Sequence, residues 1–196
     1  MATLIKGTAM TLITNYAPVV GETISKMGWR PQRQSNHEDG FLPRAYYSVV
    51  LDPTADEVWS LVRDFNNYPR YIEGVTESII EDDKRGDEVG AVRRFHYGDV
   101  WIRQRLVSHS DTERSFTYAG LEEFPFPGAE AATSPAPVNY QGTLRVTPVV
   151  ESKQAFVEWF VEFDSAPSEA AQWNSLLLKL IAQWTDSLHR TLAGQR

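Results

Sequence analysis

The stretch 154–194 constrains this chain more than any other. Within 154–164 the alternate positions Val157, Trp159, Val161 and Phe163 make one wholly apolar face, while Glu158 and Glu162 fall on the opposite one. A period of two is a strand, and it turns both glutamates away from the core. Directly afterwards Ser165-Ala166-Pro167-Ser168-Glu169 opens a helix on which Trp173, Leu177, Leu180, Ile181, Trp184, Leu188 and Leu192 recur at steps of three and four. Gly194 stops it. A helix of about 25 residues rising 1.5 Å each is long enough to cross a whole sheet. The chain must therefore lay one long amphipathic helix over the apolar face of a sheet.

The rest of the sheet can be read upstream. Residues 45–51 (Ala-Tyr-Tyr-Ser-Val-Val-Leu) are β-branched and aromatic, and Asp52-Pro53-Thr54 ends them and opens a helix. Asp56 and Glu57 suit its first turn, and Val58, Leu61, Val62 and Phe65 form its apolar face before Asn66-Asn67-Tyr68-Pro69 breaks it. Strands are expected over 75–81, 88–97, 100–108 and 114–121, with Gly98-Asp99 as a tight two-residue turn. Another is expected over 138–149, where Tyr140, Gly142, Leu144 and Val146 alternate with Gln141, Thr143, Arg145 and Thr147. Between them, 122–137 carries Pro125, Pro127, Pro135, Pro137 and Gly128. A loop of about 16 residues inside a compact domain is usually functional or disordered.

Composition excludes several functions. With no cysteine there can be no disulfide, thiolate chemistry or Cys-ligated metal. The charge of −7 argues against a nucleic-acid partner. No apolar run reaches the length of a membrane span, and 1–20 is too polar for a signal peptide, so a cytoplasmic location is the expectation. His37, His96, His109 and His189 show no metal-ligand spacing, so neither a metal nor another cofactor is expected. Residues 1–40 differ from the rest in mixing short apolar patches with the polar run 32–40. They are read as an N-terminal extension to a domain at 41–196.

The order of elements, one strand, short helices, six more strands and a long helix, resembles the helix-grip (START/Bet v 1-like) α+β fold. The passages that carry the likeness are Val50-Leu51-Asp52-Pro53, Asp56-Glu57-Val58-Trp59, Val62-Arg63-Asp64-Phe65, 89–93, Arg103-Gln104-Arg105-Leu106, Glu113-Arg114-Ser115, Asn139-Tyr140 and Leu144-Arg145-Val146. Over residues 44–193 they resemble the polyketide cyclase/dehydrase-like branch of the START-like (SRPBCC) superfamily and, more distantly, the plant abscisic-acid receptors. The resemblance implies a curved seven-stranded antiparallel sheet around the last helix, with an apolar ligand cavity between them.

Alternation and resemblance together nominate the lining. Thr76, Ser78, Ile80, Arg93, Phe95, Tyr97, Ile102, Gln104, Leu106, Phe116, Tyr118, Tyr140, Gly142, Val157, Trp159 and Val161 should face inward, joined by Leu177, Leu180, Trp184 and Leu188 from the helix. Arg93, Tyr118 and Tyr140 are the candidate catalytic groups. A guanidinium in an apolar cavity clamps a carboxylate or polarises a carbonyl, and in the cyclase branch it can stabilise an enolate. Its alternative is a place at the rim beside a surface acid. Gln104 stands where relatives commonly carry glutamate, and Trp159 where the receptors carry a pocket carboxylate. Both departures weaken carboxylate-based acid–base chemistry and favour an apolar or aromatic ligand. His96 should face outward with Arg94. The short turn at Gly98-Asp99 leaves no room for the receptors' gating loop, whereas Phe124 and Phe126 are candidate lid residues.

Three functions remain open at this level. The first is a cyclase/dehydratase-like enzyme of secondary metabolism. The second is a non-catalytic carrier or sensor of a lipid, quinone or similar molecule. The third is a partner-binding role in which residues 1–40 dock a protein or swap into a homodimer.

Overall fold

The computed structural model describes residues 44–122 and 137–194. Strand β1 (Arg44–Leu51) is followed by helix α1 (Ala55–Val62) and a single 3₁₀ turn, Tyr68–Arg70. Then come β2 (Val75–Ile80), β3 (Val92–Tyr97), β4 (Val100–Ser110), β5 (Ser115–Gly120), β6 (Val138–Val149), β7 (Gln154–Asp164) and helix α2 (Ala170–Ala193). The strands form one antiparallel sheet in the order β1-β7-β6-β5-β4-β3-β2. This is the helix-grip arrangement expected from the sequence.

Local chemistry explains most boundaries. Thr54 caps α1 with a reciprocal capping box: its hydroxyl accepts from the Glu57 amide, while the Glu57 carboxylate accepts from the Thr54 amide at 2.7 Å. The helix stops at Val62, so Phe65 enters the core from an irregular segment rather than from the predicted helical face. Strand β3 begins at Val92, four residues later than expected from 88, because the Gly90 amide bonds to the Leu106 carbonyl and Ala91 turns back to Glu88. Helix α2 buries Trp173, Leu177, Leu180, Ile181, Trp184, Leu188 and Leu192, the seven positions of the predicted stripe.

One inward assignment is overturned. The pairing of β2 with β3 shifts between Val75 and Glu77, so Thr76 is the extra residue of a bulge. It lies on the exposed face, and its hydroxyl meets His96 Nδ1 at 3.0 Å. His96 packs there on Trp101, with ring centroids 5.0 Å apart, so its outward direction agrees with simple alternation.

Candidate functional site

The volume between the concave sheet and α2 is walled by aromatic rings. Phe95, Phe116, Tyr118, Tyr140, Trp159 and Trp184 are all buried, as are Ile102, Val161, Leu180 and Leu188. Ring contacts tie them together: Phe116 with Tyr118 at 6.1 Å, Tyr118 with Tyr140 at 6.3 Å, and Trp159 with Trp184 at 5.5 Å. Tyr97 is half-buried at the end of β3 and meets Trp184 edge-on at 5.8 Å. Thus, apart from Thr76 on the outer face, the nominated lining residues of the described strands and of α2 face this volume or its margin. Phe124 and Phe126 lie outside the described residues.

Three further rings fill it. Phe65, Tyr68 and Tyr71 are each at most 1% exposed, and Tyr68 packs on Phe95, Tyr71 and Trp159 at 5.3, 5.6 and 6.0 Å. The sequence reading treated Asn66-Asn67-Tyr68-Pro69 only as a breaker. The signal was present in Tyr68, Tyr71 and Ile72, an i, i+3, i+4 set following the helix, all of which are buried.

Arg93 is fully buried. The alternative of a rim position beside a surface acid is therefore overturned: among the described residues it makes no ion pair. The guanidinium donates to the Phe65 carbonyl and, at 2.6 Å, to Gln104 Oε1. Its carbon sits 3.8 Å from the Phe65 ring centre and 3.4 Å from that of Tyr68. A cation taken out of water costs several kcal/mol even after relaxation. Two neutral acceptors and aromatic faces offset part of that. The Arg93 Nε group is buried and has no partner among the described residues.

The tyrosines add hydroxyls to this cation. Trp159 Nε1 donates to the Tyr118 hydroxyl at 3.1 Å. The Tyr118 ring lies flat against Gly142, where a Cβ would stand only 2.3 Å from both Cζ and the hydroxyl oxygen. Glycine at 142 is thus what lets the hydroxyl reach the interior. Burial raises the Tyr118 phenol well above its ordinary value, and neighbouring Tyr140 and Tyr68 raise it further. Burial also raises Tyr140 and Tyr71. At neutral pH these three therefore remain protonated, and each hydroxyl keeps its proton for donation.

Open depressions border the described residues, one of about 330 Å³ beside Pro69, Tyr71 and Ser187 and two next to nominated lining residues. The larger, about 510 Å³, is lined by Glu73, Gly74, Tyr97, Trp184, Asp186 and Arg190, among others, with Glu73 and Arg190 paired at 2.5 Å on its rim. The smaller, about 280 Å³, lies beside Gly120, Glu122, Pro137 and Tyr140. Among the described residues no helix is long and apolar enough to cross a membrane.

Comparison with known proteins agrees with this geometry. No curated protein matches the chain. Among solved structures, a protein from Nitrosospira multiformis is 25% identical, with 74% of this chain and 96% of that one covered and a TM-score of 0.58. The di-domain ARO/CYC BexL from the BE-7585A biosynthetic pathway is 16% identical, with 76% and 46% covered and a TM-score of 0.62. A START superfamily protein from Mycobacterium smegmatis is 11% identical, with 78% and 99% covered and a TM-score of 0.61. With residues 43–193 matching it, the chain belongs to the family described as polyketide cyclase / dehydrase and lipid transport, on a hydrophobic-ligand-binding fold.

Proposed function

We propose that this protein binds an apolar, aromatic metabolite between the curved sheet and α2 and acts on it as a cyclase or dehydratase of secondary metabolism. The observation that carries the reading is the Arg93 guanidinium, buried among aromatic rings together with the hydroxyls of Tyr118 and Tyr140. Donors fixed in a dry site stabilise an oxyanion without reorganising during reaction. A substrate carbonyl directed at Arg93 would develop enolate charge there, and Tyr118 or Tyr140 would donate to the same or a neighbouring oxygen. Aromatic walls would hold a planar substrate in a folded, reactive geometry. The structural likeness to the ARO/CYC protein BexL supports a place in this class of chemistry.

Native mass spectrometry against a panel of aromatic polyketide-like metabolites, followed by turnover assays, tests the proposal. The wild type should bind and convert at least one compound, and Arg93→Ala should lose turnover. A wild type that binds none of the panel contradicts it.

A carrier or sensor is the second reading. It is favoured by Gln104 and Trp159, which leave the described part of the interior without the carboxylates that would shuttle protons. Binding of the same panel with no conversion of any member would select it.

A further inference from the structure

Arg93 is a cation whose only hydrogen-bond acceptors among the described residues are neutral. A guanidinium has five N–H donors, so two of them are used and three are left. Around it the Tyr71 hydroxyl and, from α2, the indole N–H of Trp184 are likewise buried donors that meet no acceptor among the described residues. Each belongs to a residue at most 3% exposed. Gln104 presents its carbonyl oxygen to Arg93 at 2.6 Å, where a carboxylate of the same shape would have supplied the missing negative charge. A site built of one cation and several unsatisfied donors, with apolar walls, lacks an anion.

Resting on the binding reading above, we infer that the ligand is an aromatic free acid whose carboxylate completes the charge of Arg93. The carboxylate accepts from the unused guanidinium N–H groups and from the Tyr71 hydroxyl, and the aromatic body lies toward Trp159 and Trp184. Tyr68, stacked 3.4 Å over the guanidinium, is the ring that must shift to admit it. An ester, amide or thioester of the same skeleton carries no such charge.

Isothermal titration calorimetry with matched pairs tests this: 2-naphthoate against 2-naphthamide, and anthracene-2-carboxylate against its amide. The wild type should bind each acid at least about tenfold more tightly than its amide, as charge-assisted hydrogen bonds require. Gln104→Glu, which supplies the carboxylate internally, should bring the acid-to-amide ratio down to about one or below. Amides that bind as tightly as acids to the wild type overturn the inference while leaving the binding reading intact. If no member of either pair binds, both readings fall. The comparison within the wild type does not depend on any variant folding.

Discussion

Replacing Gly142 by alanine tests the interior most simply, because two effects of opposite sign compete. In a strand, alanine normally gains about 0.5–1 kcal/mol over glycine by restricting the unfolded chain. Here the new methyl would stand 2.3 Å from Tyr118 Cζ and 2.7 Å from Cε2. The ring cannot remain where it is. Overpacking of this kind costs about 1–3 kcal/mol, and displacing the hydroxyl also breaks the 3.1 Å bond from Trp159 Nε1, worth about 1 kcal/mol. Strain wins, and the net loss is about 2 kcal/mol, or a Tm lower by about 4–8 °C for a domain of this size. Urea denaturation and thermal melts of Gly142→Ala measure it. The control is Tyr118→Leu, which removes the ring. In that background Gly142→Ala should cost less than about 0.5 kcal/mol, leaving a coupling energy of about 2 kcal/mol in the double-mutant cycle. A Gly142→Ala protein as stable as the wild type would show that the Tyr118 ring does not lie against position 142.

Further predictions follow from other parts of the molecule. Thr54→Ala removes half of the α1 capping box and should cost about 1 kcal/mol, whereas Thr54→Ser should recover most of it. Asp111 accepts from Arg63 and Trp59, and chiefly the Arg63 hydrogen bond holds its pKa down at about 2. Its folded value is depressed, so its contribution is complete above 3.8 and lost as pH falls through about 2. The carboxylate is 57% exposed, so Asp111→Asn should cost under about 1 kcal/mol at pH 7 and flatten the acid limb of a stability–pH curve.

The fold was largely legible because its strongest signals are periodic. The apolar face of β7 and the seven-residue stripe of α2 fix a helix over a sheet, and strand alternation then places Arg93, Phe95, Gln104, Tyr118 and Trp159 inside. Thr76 failed for a local reason: one extra residue in β2 breaks the period of two, and no residue type announces a bulge there. Phe65, Tyr68 and Tyr71 were missed as site residues because they enter from irregular chain after α1, where neither period governs. The charge state of the site was half legible. Alternation placed Arg93 and Gln104 on the same side of adjacent strands, and their cross-strand pairing follows from the short turn at Gly98-Asp99. That no acid among the described residues meets the guanidinium is a three-dimensional fact, set by which side chains share one small volume.

The central claim is that an aromatic ligand occupies the space beneath α2. The most direct measurement is a titration of the ¹⁵N-labelled protein with 2-naphthoate, following the indole N–H and arginine Nε–H signals by NMR. The account predicts that Trp159, Trp184 and the Arg93 Nε–H shift together and saturate, while Trp101, 39% exposed on the outer face, stays in place. Shifts confined to Trp101 and other surface groups, with the Arg93 signal unmoved, would contradict it.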